Sequence, residues 1–237
     1  MPRRGKLVVF LGPVGVGKST VIRALLNLSK KRGIKAKSVH IKAMHGPSYL
    51  LWKIMSHIIA RKVSRKLASW YIVGKINRNL SRRLLLISVY LDSITIPFIL
   101  VLRVMIPRLR GVNIFVEEYL LGTLFDYVYS FYELERGNYF HLLPFKMLES
   151  LCLRYKPSLV ILLDANLFEL IKHWRGRGYG DPQIKYVLSQ KYILPKLAQA
   201  LYSKEHIVEL EVASVSVADI VERIWRLCDM EDEIDES

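Results

Sequence analysis

Residues 12–19 read Gly12-Pro13-Val14-Gly15-Val16-Gly17-Lys18-Ser19, and a continuous apolar run, Leu7-Val8-Val9-Phe10-Leu11, stands directly before them. This pattern, G-x-x-x-x-G-K-[ST] between an apolar run and a helical stretch, constrains the fold more than anything else in the chain. Its glycines lack a Cβ, so several backbone N–H groups can converge on one anion. A helix starting at Lys18 adds its own free N–H groups and the positive end of its dipole. Together with Thr20 the loop reads as a cradle for the phosphates of ATP or GTP. Lys18 suits the β- and γ-phosphates, and the Ser19 hydroxyl suits a Mg2+ ion.

The run before the loop does not alternate, which predicts a central parallel strand buried on both faces. Further apolar runs predict strands at 36–42, 112–116, 159–163 and 207–212. Helical spacing covers 18–32, 121–136, 144–155, 167–175, 184–203 and 217–227, and Gly33 stops the first of these. Strand–helix alternation predicts an α/β architecture. Its form is the three-layer P-loop NTPase fold: a five-stranded parallel sheet, helices on both faces and right-handed crossovers. Residues 1–228 read as one such domain, and the acid-rich residues 229–237 as a flexible tail.

Between the second and third strands, residues 46–111 are too long for a simple crossover. Residues 49–81 are amphipathic and basic. Residues 84–106 are mostly apolar and long enough to span a bilayer. Asp92, Pro97 and Arg103 interrupt that run, and a central charge is costly in lipid. A buried or kinked pair of core helices is therefore expected, with an anionic membrane surface as the alternative partner. The formal charge is +15, and 13 Lys/Arg lie between Lys42 and Arg110 against one acid, Asp92. Such a field attracts polyanions: nucleotides, lipid head groups or, less expected for want of a recognised motif, nucleic acid. Cys152 and Cys228 lack the spacing of a metal site or disulfide framework, and no signal-like run stands near the start. The expectation is a cytoplasmic protein, with peripheral membrane association as the alternative.

Loops of this kind work with an acid at a neighbouring strand end that holds Mg2+. Glu117 and Glu118 follow the third apolar run, and Asp164 follows the fourth. Glu117 is preferred at the metal beside Ser19 and is a weaker candidate for general base, with Asp164 in reserve. The histidines, His40 and His45 included, read as core or surface residues, although His45 could touch an acceptor. The aromatic run Tyr119 to Tyr132 has helical spacing and reads as core, with Tyr119, Phe125 and Tyr129 as candidates to line an acceptor pocket.

In this order the motifs resemble the thymidylate kinase family and its relatives among nucleoside and nucleoside monophosphate kinases. Ile106-Pro107-Arg108-Leu109-Arg110-Gly111 is similar to the family's I-x-P-x-L…G. Val112 to Tyr119 resembles its apolar strand ending in Asp-Arg-Tyr, and residues 157–178 resemble its P-D-L-x-x-x-L-D…R-x-x-x-R-G. Residues 192–198 stand where the family has a helix with Y-x-x-L-A. The resemblance implies Mg2+-dependent transfer of the ATP γ-phosphate to a nucleotide, nucleoside or other small acceptor. It also implies a lid at 173–182 in which Arg175 and Arg177 face the transferring group. A second copy of the chain is a further expected partner. Where the family has Asp-Arg-Tyr this chain has Glu117-Glu118-Tyr119, and an acid in place of the arginine argues against holding an acceptor phosphate there. The alternatives are a membrane- or nucleic-acid-associated ATPase or nucleotide switch, and a non-catalytic relative.

Overall fold

Strand β1 (Leu7–Leu11) is buried along its whole length, as its unbroken apolar run requires of a central strand. A computed structural model describes residues 4–44, 46–59, 69–135, 141–176, 183–212 and 215–228. The remaining strands are β2 (Ala36–Ile41), β3 (Asn113–Glu118), β4 (Leu159–Asp164) and β5 (Ile207–Glu211). They form one parallel sheet in the order β2-β3-β1-β4-β5. The helices are α1 (Lys18–Lys31), α2 (Pro47–Ile59), α3 (Ser69–Ile76), α4 (Arg78–Leu100), α5 (Ile106–Leu109), α6 (Tyr119–Glu135), α7 (Leu143–Arg154), α8 (Leu167–Gly176), α9 (Ile184–Leu201) and α10 (Val217–Leu227). The fold is thus the expected α/β architecture.

Successive residues of β1 point to opposite faces and divide the core in two. Leu7, Val9 and Leu11 join a cluster built from α4, α6 and α7, while Val8 and Phe10 join one built from α1, α8, α9 and α10. The sheet is therefore the middle of three layers. Strand β3 runs two residues beyond its apolar stretch, because its pairing with β2 continues to His40 opposite Glu117 and Ile41 opposite Glu118. Both acids belong to the strand rather than to a loop after it.

The long crossover is helical, but residues 84–106 are not a helix pair. They lie within a continuous helical length, Arg78–Leu109, that keeps Pro97 inside α4 and passes through a π-helical turn, Val101–Met105, before α5. Its partners are α2 and α3 from the basic stretch and α6 and α7 from beyond β3. Asp92 is buried on the inner face, where it accepts hydrogen bonds from Met44 N–H (2.6 Å), the Tyr127 hydroxyl (2.6 Å) and the Ser48 hydroxyl. Trp52 Nε1 donates to Ser88 Oγ, 2.8 Å away, one turn earlier. On the outer face Leu86, Ile87, Tyr90, Ile94 and Phe98 are exposed. Arg78–Leu109 is long and apolar enough to cross a membrane by length and composition, and 44% of its most apolar stretch is buried against the rest of the molecule.

Candidate functional site

The chain leaves β1 between β3 and β4, then crosses first to the β2 side and later to the β4 side. In parallel sheets the crevice at such a reversal, beyond the carboxyl ends of the strands, is where ligands sit. The Gly12–Thr20 loop fills this place. Gly12 has φ 139° and passes so close to β4 that a Cβ would lie 2.1 Å from the Leu163 carbonyl oxygen. Gly17, φ 99°, caps α1, and a Cβ there would meet nothing within 4 Å. The loop thus has both the close backbone passage and the open concave side that an anion cradle needs. On its far side, His173 Nδ1 lies 2.9 Å from Gly15 O.

Lys18 is folded back into the loop it closes and is 4% exposed. Its Nζ donates to Gly12 O (2.7 Å) and Pro13 O (3.1 Å). Ser19 Oγ donates to Glu117 Oε2 at 2.8 Å, so the expected hydroxyl–carboxylate pair forms across the β1–β3 boundary. Two hard oxygen donors side by side are a fitting ligand set for Mg2+. An open cleft of about 260 Å³ lies next to them, lined by Ser19, Arg23, Ser38, His40 and Glu117 among others.

Glu118 is the unexpected member. It is 3% exposed, and its Oε1 lies 3.1 Å from Lys18 Nζ. Glu118 and Tyr119 both have left-handed backbones, φ 72° and 58°, a strained arrangement for two side-chain-bearing residues in succession. The Lys18 ion pair holds the first, and the Tyr119 hydroxyl holds the second by donating to Tyr155 O at 2.7 Å. Gly122 leaves the room required, since a Cβ there would stand 2.9 Å from Glu118 Oε2. Burial alone would raise the Glu118 carboxyl, but the charges of Lys18, Lys42 and His40 outweigh it and hold it below the usual carboxylate value. The counter-charge of Lys18 is therefore a strand-end acid at the position where the resemblance calls for arginine.

Two turns along α6, Asp126 is buried and accepts from the Tyr186 hydroxyl at 2.5 Å. Burial raises its carboxyl above the usual value; Glu118 pushes the same way, while Lys42, Lys18 and the Tyr186 hydrogen bond oppose them. A raised folded value means that protonation favours the fold and that stability falls as pH rises through it. Asp126→Asn is therefore expected to lose less melting temperature than the parent as pH is raised from the ordinary carboxylate range upward. Parallel thermal melts check this, and an equal or larger loss in the variant contradicts it.

The other candidates are differently placed. Both oxygens of Asp164 are engaged: Lys191 Nζ lies 2.7 Å from Oδ2, and Oδ1 accepts from Ala165 N–H at 2.9 Å. Residues 173–176 of the anticipated lid are the last turn of α8, whose Leu170 and Trp174 are buried one turn apart; Arg175 is exposed there. Arg177, the rest of the lid, His45 and residues 229–237 lie outside the described residues. Tyr119 and Phe125 are core residues, whereas Tyr129 is half-buried with its ring centroid 5.0 Å from that of Tyr186. Asp126, Tyr186 and Gln190 were not singled out by sequence. Their one signal is that Gln190 interrupts the apolar row Val187, Leu194 and Ala198 on the buried side of α9.

No protein-family model matches the chain, and no curated protein sequence matches it. Among solved structures, the thymidylate kinase of Candida albicans is similar, at 13% sequence identity and a TM-score of 0.52 over 97% of this chain and 93% of that one. The architecture around the Gly12–Thr20 loop is thus a thymidylate kinase-like P-loop fold.

Proposed function

We propose that this chain binds ATP with Mg2+ and transfers the terminal phosphoryl group to a small acceptor, a nucleotide, nucleoside or other hydroxyl compound. The observation that carries the reading is the joint placement of Lys18, Ser19 and Glu117 at the switch point of a fold like that of a thymidylate kinase. The loop amides and Lys18 hold the donor phosphates, and Ser19 and Glu117 hold the metal. Bound there, the metal neutralises charge on the transferring group. Arg175 and Arg177 are the lid cations of this reading. Glu118 occupies the family's arginine position and faces Lys18, which disfavours an acceptor held there by its own phosphate.

Labelled ATP offered with a panel of nucleosides, nucleoside monophosphates and sugars tests the reading directly. Transfer to one class is expected. Slow hydrolysis with no transfer would sink it in favour of a membrane-associated nucleotide switch, the reading that the exposed apolar row of α4 supports. Within the transferase reading, Glu117→Gln is expected to reduce Mg2+-dependent turnover by about 100-fold. The same variant should leave ATP affinity in EDTA within about twofold of the parent. Unchanged turnover at limiting Mg2+ removes Glu117 from the metal side.

A further inference from the structure

A chain of polar side chains runs from the phosphate loop into the interior, and the proposed donor and metal roles use none of it. Val14 N–H donates to Gln190 Oε1 (2.9 Å), Gln190 Nε2 donates to the Tyr186 hydroxyl oxygen (3.1 Å), and that hydroxyl donates to Asp126 Oδ1 (2.5 Å). Each donor meets an acceptor, and the amide orientation is fixed at both ends: Oε1 must face the backbone N–H, and Nε2 must face a hydroxyl whose proton is already committed. Gln190 is fully buried, with Tyr186 and Asp126 nearly so. Tyr186 and Gln190 are four residues apart on α9, so they project from one face toward α6 and the loop together. The rings of Phe125 and Tyr129, with centroids 6.0 Å and 5.0 Å from that of Tyr186, fix its position.

Burying an amide and a carboxyl is unfavourable unless both are satisfied, so an apolar contact would stabilise α9 more simply at this place. What the polar chain adds is a grip on one backbone N–H. Val14 sits between Gly12 and Gly15, both with positive φ, where the backbone has the most freedom to lose. Fixing Val14 fixes the path on which the following loop amides lie. We propose that Gln190 and Tyr186 are positioning residues that hold the phosphate loop in its anion-binding shape by tying Val14 to Asp126 on α6. The inference rests on the loop being a nucleotide site, as proposed above.

The test compares the parent with Gln190→Met, Tyr186→Phe and the double variant. ATP affinity is read by calorimetry, melting temperature by a thermal scan, and Val14 amide exchange by NMR of the protein alone. Gln190→Met is expected to weaken ATP by about tenfold and Tyr186→Phe by about fivefold, the size of one lost buried hydrogen bond. The double variant should be no worse than Gln190→Met, because both changes cut the same chain. Tyr186→Phe keeps the ring, so its melting temperature should move by no more than about 3 °C, and in both single variants the Val14 amide should lose exchange protection. Affinities within twofold of the parent, or losses that multiply in the double variant, overturn the proposal. If Gln190→Met does not fold, Tyr186→Phe decides alone. If the parent binds no ATP, the nucleotide reading fails, while protection of Val14 still decides whether the chain holds the loop.

Discussion

Lys18→Ala is expected to abolish measurable ATP binding and also to destabilise the protein alone by about 3 kcal/mol. The first effect follows from the proposed function, in which Lys18 is the cation that meets the β- and γ-phosphates. The second follows from Glu118, whose carboxylate lies 3.1 Å from Lys18 Nζ with both side chains 4% exposed. Truncating one partner leaves the other charge buried without its closest counter-ion. For a chain of this length that corresponds to a fall of about 6–12 °C in melting temperature. Since the folded carboxyl is held below its usual value, the pair stabilises at neutral pH, and its contribution is lost as pH falls through that lowered value. The deficit of Lys18→Ala should therefore narrow in acid. Adding Glu118→Gln to Lys18→Ala is expected to restore most of the stability and none of the binding. Calorimetry with ATP and urea unfolding of the parent and the two variants check both halves. ATP binding by Lys18→Ala at the parent's affinity would falsify the nucleotide site, and unchanged stability would falsify the buried pair.

The features that sequence reveals here are local ones. The glycine spacing of 12–17, the apolar runs of the strands and the helical periods each depend on neighbours a few residues away. They place the loop and the sheet, and the general rule that such a loop works with an acid at a neighbouring strand end adds Glu117 beside Ser19. What stayed hidden depends on partners far along the chain. Glu118 looks like a second strand-end acid until β3 is laid beside β1 and its left-handed backbone turns the carboxylate toward Lys18. The end of β3 was misjudged because its apolar run stops at Val116 while its backbone ladder with β2 does not. The lid expected at 173–182 overlaps the helix expected at 167–175, and the structure places residues 173–176 in α8, where Trp174 continues the buried row begun by Leu170. Asp126 and Tyr186 are a polar residue and a tyrosine on amphipathic helices, and only their hydrogen bond shows that they belong together.

Asp92 is the case in which the same residue supports opposite readings, and its replacement separates them. In sequence it is the one acid in a long apolar run, and removing it would improve a bilayer span. In the structure it accepts from Met44 N–H, Ser48 and Tyr127, and so ties α4 to the end of β2, to α2 and to α6. Met44 has a left-handed backbone, φ 57°, and its hydrogen bond to Asp92 helps hold that conformation. Asp92→Leu is therefore expected to destabilise the protein by about 3–5 kcal/mol, because buried donors from separate elements lose their acceptor at once. Asp92→Asn should retain most of the stability. Its carbonyl oxygen can accept from Met44 N–H and Tyr127, and its amide can donate to Ser48 Oγ, whose own proton then goes to Ser88 O, 3.3 Å away. Urea unfolding of both variants, with sedimentation against anionic vesicles, gives the decision. A Leu variant that keeps its stability and moves to the vesicle pellet would make 84–106 a membrane element. A Leu variant that unfolds early beside a stable Asn variant makes it a core helix whose single acid is a structural tie.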